Sequence, residues 1–394
     1  MPQNALPAQS AWKRRSSSMK AAQVIIDTGA HAAALAVKCA RVDVVPGYPI
    51  TPQTSIMEAV AAMVENGEMH ARFIPVEGEH SAMAAAVAAA AAGARVFTAT
   101  SANGLLYMHE VLHMASGGRL PVVMCNVNRG IFAPWTLWAD HQDSFAQRDT
   151  GWIHYHCSSN QEVFNTILQA FRVAEQINIP VMVNFDGFAI SHCLMPLTLP
   201  PQEDIDRFLP PHEPEWRLDP AHPSSFSNVT NAAEYAPFRQ MLSDDIMAAI
   251  PLVKQAAQEY KDITGMWDGD TIDTYRLEDA EVVAFAVNSM AAELRLSIDI
   301  LREQGIKAGL LRPRLYLPFP AEDIVSALPR NAQVMVLDRN YNFGHPGGIL
   351  AAELKSVLFG RRNDITVKNR VMGIGGIDLT RRFMAAEIRA MMDE

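Results

Sequence analysis

A set of polar residues between positions 51 and 143 could bind an anion or move a proton, and most of them follow apolar segments. Carboxylates exchange protons, and an arginine can donate two parallel hydrogen bonds to a carboxylate. Hydroxyl and amide groups can orient a ligand. The set consists of Thr51, Gln53, Thr54, Glu77, Glu79, Arg129, Asp140, His141 and Asp143.

The elements that must position these residues are predicted to alternate as strand, loop and helix. Apolar runs and the Gly and Pro residues between them predict strands at 43–45, 73–76, 96–99, 121–127, 150–156 and 181–186. Helices are predicted at 56–66, 81–92, 108–115 and 161–176. In a parallel α/β sheet the loops after the strands gather on one edge, where ligands bind. The polar set is therefore expected to meet at that edge.

Glu77 and Glu79 lie where a predicted strand meets an alanine-rich helix that stops at Gly93. Acids at a helix start are often placed only to complement the helix dipole, which stabilises them by about 0.3–1 kcal/mol. The alternative is a proton-handling carboxylate at a ligand site. The small alanine side chains would also let a backbone or a flat cofactor ring approach closely.

Residues 46–55 contain three prolines and one glycine, which predict a rigid, extended loop. Such rigidity is compatible with ordinary turn chemistry. It is equally compatible with a preorganised loop that presents Thr51, Gln53 and Thr54 to a ligand.

Other motifs are compatible with a ligand site but do not require one. His109 and His113 are four residues apart beside Glu110, although a solvated or buried histidine pair is the simpler explanation. The glycine-rich stretches at 344–348 and 373–376 could cradle a phosphate, but they lack the spacing of the known phosphate loops. Close packing or a subunit contact explains them as well.

Composition excludes several classes of protein. A net charge of −10 argues against a nucleic-acid binder, and no apolar run has the length of about 20 residues that spans a bilayer. The four cysteines, Cys39, Cys125, Cys157 and Cys193, form no C-x-x-C pair, so the chain itself is not expected to hold an iron–sulfur cluster or a zinc site. A cytoplasmic protein with reduced thiols is expected.

The length of 394 residues predicts two domains. We divide the chain into a flexible N-terminal arm (1–20), an α/β domain (21–196), a proline-rich connector with a long helix (197–275) and a second α/β domain (276–394). Residues 21–40 are predicted to form one helix, and residues 195–237 are predicted to hold no regular element. The loop at 342–348 is predicted to open the last helix.

Seven motifs in a fixed order resemble those of one enzyme family. They are GYPITP at 47–52, EGEHSA at 77–82, GARVFTATS at 93–101, NR at 128–129, DHQD at 140–143, DTGW at 149–152 and DGF at 186–188. This pattern is similar to the alpha subunit of the 2-oxoacid:ferredoxin oxidoreductases, of which the pyruvate enzyme is the best known. The continuous resemblance covers residues 21–192. The RPR at 312–314 and the GHPGG at 344–348 resemble that family's second domain.

The resemblance implies a thiamine-diphosphate-binding fold of the pyrimidine type, followed by a domain like the transketolase C-terminal domain. It also implies oxidative decarboxylation of a 2-oxoacid, capture of the acyl group by coenzyme A, and electron transfer through iron–sulfur clusters. The cofactors would carry the chemistry, and the protein would position them.

The resemblance also assigns roles to individual residues. Glu79 matches the glutamate that meets the ring nitrogen N1′ of thiamine and favours its imino tautomer. Thr51 matches a threonine that touches the substrate, and Arg129 matches an arginine that faces the substrate carboxylate. Pro49 and Asn103 are expected beside the cofactor. Asp140, His141 and Asp143 are expected to hold the adjoining loop.

The sequence departs from the family pattern at two places. Residues 101–104 replace the glutamine or glycine–proline pair that relatives often carry. Residues 131–138 are more aromatic than expected for pyruvate, so Phe132, Trp135 or Trp138 could favour an aryl substrate such as phenylglyoxylate. These aromatic side chains could instead pack a loop or an interface. 2-Oxoglutarate and indole- or arylpyruvate specialists are further alternatives.

What the sequence lacks predicts its partners. It contains no Gly-Asp-Gly motif for the diphosphate and Mg²⁺ and no cluster cysteines. A beta subunit is expected to supply the diphosphate and Mg²⁺ half of the site. Gamma and ferredoxin-like delta subunits are expected to complete a complex with [4Fe-4S] clusters. A cofactor-free structural subunit is the non-enzyme alternative, although packing alone would not require Thr51, Glu79 and Arg129 together.

Overall fold

The computed structural model describes residues 22–394 as two α/β units in contact with each other. The predicted N-terminal arm, residues 1–20, lies outside the described residues.

The first unit carries sixteen helices and strands, and it ends with a long helix. In chain order they are β1 (Gln23–Asp27), α1 (Gly29–Cys39), β2 (Val44–Gly47), α2 (Thr54–Glu65), β3 (Arg72–Pro75), α3 (Glu79–Ala91), β4 (Phe97–Thr100), α4 (Ala102–Gly117), β5 (Val123–Asn128), α5 (Gln142–Phe145), β6 (Ile153–His156), α6 (Asn160–Ile177), β7 (Val181–Asp186), β8 (Met195–Leu199), α7 (Gln202–Phe208) and α8 (Ala232–Thr264).

The second unit follows the same alternating plan. Its elements are β9 (Ile272–Tyr275), β10 (Val282–Phe285), α9 (Asn288–Glu303), β11 (Ala308–Pro313), β12 (Leu315–Leu317), α10 (Ala321–Ala327), β13 (Gln333–Asp338), α11 (Ile349–Leu358), β14 (Thr366–Val371) and α12 (Arg381–Asp393).

The first sheet has the order β12-β6-β7-β5-β4, and strands β4 to β7 run parallel. A single parallel bridge between Val44 and Val96 joins it to the parallel pair β2-β3. The carboxyl ends of β3, β2, β4, β5 and β7 therefore lie along one edge. The predicted gathering of the polar loops at this edge is confirmed.

The second sheet has the order β14-β13-β10-β11-β9, with β9 the one antiparallel strand. The short strand β12 leaves this unit and pairs antiparallel with β6 of the first sheet. Each sheet is covered on both faces by helices, which gives two buried cores per sheet. The parallel strands are accordingly buried on both sides, as expected for doubly wound folds.

The predicted helix over residues 21–40 is wrong in its first third. Residues 23–27 form β1, which pairs antiparallel with β8, and the helix starts only at Gly29. The Thr28 side chain accepts a hydrogen bond from the His31 backbone N–H and so caps the helix at that point.

The expectation that residues 195–237 hold no regular element is also wrong. Strand β8 and helix α7 lie there, because prolines are tolerated in an edge strand and just before a helix. The long helix also begins inside this stretch. It begins at Ala232, where Asn231 and Glu234 form a capping box.

In the second unit the prediction that the loop at 342–348 opens the last helix is wrong. The loop at 342–348 precedes α11, and β14 and α12 still follow. None of the helices described is long and apolar enough to cross a membrane.

Candidate active site

The residues predicted to act together follow four neighbouring strands. Thr51 follows β2, Glu79 follows β3, Asn103 follows β4 and Arg129 follows β5. Because the strand order is β3-β2-β4-β5, the structure brings these four positions to one end of the first sheet.

Glu79 is the first residue of α3 and is only 8% exposed. Its carboxylate lies against the start of α4, where a Cβ built on Gly104 would be 2.6 Å from Oε1. The hydroxyl of Thr100 is near the same point and is buried without a hydrogen-bond partner. Within residues 22–394 no group donates a hydrogen bond to the Glu79 carboxylate. A buried acid beside an unsatisfied hydroxyl suits a site built to receive a polar ligand.

Arg129 is 5% exposed, and its Nη1 donates to the Thr51 carbonyl oxygen at 2.7 Å. The structure thus joins the two predicted substrate residues, although through the backbone of Thr51 and not its hydroxyl. Burial lowers the pKa of Arg129, and the charges of Asp143 and Glu79 oppose that shift. The guanidinium remains a cation in a largely desolvated site, where a carboxylate ligand would bind strongly.

Asp143 connects the loops that follow β4 and β5. It is fully buried and accepts hydrogen bonds from the backbone N–H of Ala102 (3.0 Å), the backbone N–H of Arg129 (3.1 Å) and the Asn128 amide (2.7 Å). Burial raises the pKa of this carboxyl to about 6, although the hydrogen bonds favour its ionised form. Asp143 therefore holds the backbone of Arg129 in place.

The aromatic loop, residues 131–138, lies over Arg129. The guanidinium carbon of Arg129 is 5.9 Å from the ring centre of Trp135. The backbone N–H of Phe132 donates to the Asn103 side chain at 3.3 Å. Phe132 and Trp135 are 60% and 64% exposed, so they do not fill a core of the described chain, whereas Trp138 packs on Phe188 at 4.6 Å.

A second buried group lies where the two units meet, and the sequence had not singled it out as a group. Asp186, at the end of β7, binds His141 (2.7 Å) and Arg339 (2.8 Å). Burial opposes the charge of Asp186, but Arg339 and His141 outweigh it and hold its pKa far below the ordinary value. Asn288, whose side-chain amide also donates to Asp186, and Arg339 come from the second unit. Both are distant from Asp186 in sequence, so no local pattern could have indicated them.

The remaining candidate motifs are explained by packing. His109 hydrogen-bonds Gln147 at 2.6 Å. A Cβ on Gly348 would lie 2.1 Å from the Asp338 carboxyl carbon. That carboxylate accepts from the first N–H groups of α11, the place a phosphate would take. Gly376 lies against Trp138, so residues 373–376 hold the end of the aromatic loop.

Comparison with known proteins agrees with this architecture. Residues 35–258 match the family described as pyruvate flavodoxin/ferredoxin oxidoreductase, thiamine diP-bdg. Residues 280–383 match pyruvate:ferredoxin oxidoreductase core domain II. The ketoisovalerate oxidoreductase subunit VorA of Pyrococcus abyssi is 41% identical over 93% of this chain and 92% of its own length. The pyruvate synthase subunit PorA of Methanothermobacter thermautotrophicus is 42% identical over 89% and 90%.

Solved structures share the fold at low identity. The 2-oxoglutarate:ferredoxin oxidoreductase from Magnetococcus marinus superposes with a TM-score of 0.67 at 18% identity and covers 94% of this chain and 65% of that one. A split gene transketolase superposes with a TM-score of 0.55 at 13% identity over 93% of this chain and 98% of the other.

The matched domains and the two-unit fold define the chain as a subunit of a thiamine-diphosphate-dependent oxidoreductase. It belongs to the 2-oxoacid:ferredoxin oxidoreductase family, in which its relatives are alpha subunits. The resemblance inferred from the motifs is confirmed.

Proposed function

We propose that the chain supplies the pyrimidine half of the thiamine diphosphate site and the 2-oxoacid carboxylate site of a multi-subunit, coenzyme-A-acylating oxidoreductase. The observation that supports this most strongly is that a buried carboxylate, Glu79, and a buried cation, Arg129, lie at the same edge of the sheet, where the charge of Glu79 acts on the pKa of Arg129. We also keep the expected division at residues 196 and 275 into pyrimidine-binding unit, connector and transketolase-C-terminal-like unit.

The residues present fit an aminopyrimidine. Glu79 has no protein donor within the described chain, and the neighbouring Thr100 hydroxyl is buried and unpartnered. In the proposal, Glu79 shares a proton with the ring nitrogen N1′, while Asn103 and the exposed Pro49 border the ring. When bound, thiamine diphosphate supplies the nucleophile and the electron sink that decarboxylation needs.

Arg129 is proposed to bind the carboxylate of the 2-oxoacid and so to orient its 2-oxo carbon. One guanidinium nitrogen already donates to the Thr51 carbonyl, which fixes the side chain before the substrate arrives. Thr51 itself is exposed at the mouth of the site, where its hydroxyl can contact substrate.

Exposed aromatic residues beside this site support the proposal that a beta subunit covers it. Tyr107 lies next to Gly78, and Phe132 and Trp135 stand beyond Arg129, all more than half exposed. Exposed apolar groups around a polar centre are typical of an interaction surface. The beta subunit would bring the diphosphate and Mg²⁺ site. Gamma and ferredoxin-like delta subunits would bring the [4Fe-4S] clusters, and the complex would be cytoplasmic.

The substrate class is a 2-oxoacid, and we propose a small aliphatic one, because the two relatives described are named for ketoisovalerate and pyruvate. An aryl 2-oxoacid such as phenylglyoxylate is the second candidate, favoured by the Trp135 ring at 5.9 Å from Arg129.

The test is to purify the tagged chain with its co-expressed partner subunits and to identify those partners by mass spectrometry. The complex is then assayed with coenzyme A, ferredoxin and pyruvate, ketoisovalerate, phenylglyoxylate or 2-oxoglutarate. Turnover that depends on thiamine diphosphate with one of these acids would support the proposal. A complex that binds no thiamine diphosphate and oxidises none of them would refute it. Turnover of phenylglyoxylate in preference to the aliphatic acids would replace the first substrate candidate with the second.

A further inference from the structure

We propose that Asn288, from the second unit, is a positioning residue for the substrate arginine of the first unit, acting through Asn128 and Asp143. This inference rests on the proposed role of Arg129 and adds a residue outside the unit that carries that arginine.

Asn288 lies at the centre of the contact between the two units. It is completely buried at the start of α9, and its side-chain amide donates to the Asn128 Oδ1 atom at 2.9 Å and to the Asp186 Oδ1 atom at 3.2 Å. Its own Oδ1 accepts from His156 at 3.0 Å. One side chain thus binds the ends of β5, β6 and β7 together.

The path from Asn288 to Arg129 consists of side-chain and backbone hydrogen bonds between buried groups. Once Asn288 has fixed Oδ1 of Asn128, the other amide atom of Asn128 must point at Asp143, to which it donates at 2.7 Å. The second carboxylate oxygen of Asp143 accepts the backbone N–H of Arg129. An amide has distinct donor and acceptor ends, so holding one end sets the direction of the other.

The backbone of Asn288 supports a specialised role. Its φ is +55°, in the left-handed region that few residues other than glycine adopt, with asparagine among the exceptions. Such conformations are usually found where the surroundings require the side chain to be in one place. Replacement by glycine removes the amide and leaves the backbone unstrained.

The primary test is the Asn288→Gly variant of the intact complex, with assembly checked by gel filtration and KM and kcat measured for the best 2-oxoacid. Of the hydrogen bonds lost, the one to Asn128 lies on the path to Arg129; loss of one such bond changes an equilibrium by about threefold to tenfold, and we expect the KM for the 2-oxoacid to rise by that amount. The kcat should stay within about twofold, because the affected interaction binds the substrate in both ground and transition states.

The matched control is Ser289→Ala. Ser289 also belongs to the second unit and donates to Asp186, but it makes no hydrogen bond to Asn128. Its KM should match that of the unmodified complex. An equal rise in KM for both variants would overturn the proposal, because it would indicate general loosening of the contact between the units. An unchanged KM in Asn288→Gly would overturn it as well.

Two further variants keep the test decisive. Asn288→Ala removes the donor to Asn128 without placing a second carboxylate beside Asp186, so its KM should also rise; if Asn288→Gly fails to assemble, this variant decides. Arg129→Met tests the proposed role of Arg129 separately from that of Asn288. An unchanged KM in Arg129→Met would refute the proposed role of Arg129 itself. A raised KM there with normal values in both Asn288 variants would refute only the role of Asn288.

Discussion

Gly104 and Glu79 stand on different helices, and the Glu79 carboxylate fills the space beside the Gly104 Cα. A Cβ at position 104 would meet Oε1 of Glu79 at 2.6 Å and Cγ at 2.8 Å. No real pair of such atoms comes this close, so the absence of a side chain at residue 104 is what allows the carboxylate to lie where it does.

The Gly104→Ala variant should therefore displace Glu79 and impair turnover without preventing assembly. Overpacking of this kind costs about 1–3 kcal/mol, and a comparable rise in the activation free energy would lower kcat by about fivefold to 150-fold. The measurement is kcat of the purified complex at saturating thiamine diphosphate and substrate. Gly117→Ala is the matched control, since Gly117 lies on the same helix and a Cβ there meets nothing within 4 Å. Equal kcat values for the two variants would contradict the account.

Substrate affinity should depend on the ionisation of Asp143. Burial raises the pKa of this carboxyl to about 6, and only the ionised form can accept from Asn128, Ala102 and Arg129 together. As the pH falls from about 7 to about 5, protonation should loosen the Arg129 backbone, and the KM for the 2-oxoacid should rise. An Asp143→Asn variant should have a higher KM that does not change with pH over this range.

Stability should respond to the same ionisation in the opposite direction. Because the folded-state pKa of Asp143 exceeds its unfolded value, the folded protein binds the proton more tightly, and the ionised group subtracts from stability above about pH 6. That penalty is relieved as the pH falls from about 6 to about 4. A raised KM at about pH 5.5, with no loss of melting temperature attributable to Asp143, would agree with this. A pH profile of the melting temperature that is the same in Asp143→Asn as in the unmodified complex would contradict it.

Glu162 should stabilise the contact between the two units strongly. It is buried at the start of α6 and accepts hydrogen bonds from two buried arginines of the second unit, Arg312 at 2.9 Å and Arg314 at 3.1 Å. Glu162→Gln leaves both cations without their shared anion, which should cost about 3–5 kcal/mol and lower the melting temperature of the complex. Glu281→Gln, which breaks the exposed pair with Lys307, should not change it measurably. A melting temperature as high in Glu162→Gln as in Glu281→Gln would show that the buried cluster contributes nothing.

Trp135 should affect the binding of substrates at Arg129. A cation–π contact at an exposed ring contributes about 0.5–1 kcal/mol, so Trp135→Leu should raise the KM for a 2-oxoacid by about two- to fivefold. If the ring also stacks on an aryl substrate, the loss should be larger for phenylglyoxylate than for pyruvate. Trp267→Leu is the control, because Trp267 makes the same kind of contact with Lys261, at 4.7 Å, in the region that joins the two units. Equal KM values in the two variants would remove Trp135 from the site.

The sequence predicted the alternating elements between residues 44 and 186 well, because each apolar run is bounded by Gly or Pro and each helix is long enough to show its period. It failed for β1, which is only five residues long and merges with the following alanine run. It failed again for β8 and α7, where prolines were taken to exclude regular structure although an edge strand and a helix start tolerate them.

The sequence predicted the candidate site only to the extent that it predicted where the strands end. The positions of Thr51, Glu79, Asn103 and Arg129 follow from the parallel sheet, and the roles assigned to them stay predictions. The contact of Arg129 with the Thr51 carbonyl depends on side-chain directions that the sequence does not encode locally. Asn288 is 160 residues from Asn128, and only the packing of two units brings them together.

The central claim is that the Glu79 carboxylate shares a proton with the aminopyrimidine of thiamine diphosphate, and the most direct measurement is the kcat of the Glu79→Gln complex. Glu77→Gln is its control, because Glu77 lies two residues earlier, is exposed, and accepts a hydrogen bond from the Ser81 hydroxyl. Proton transfer by a positioned side chain contributes about 100-fold or more, so Glu79→Gln should assemble normally and lose at least that factor in kcat, while Glu77→Gln keeps its activity. Near-normal turnover in an assembled Glu79→Gln complex would contradict the account.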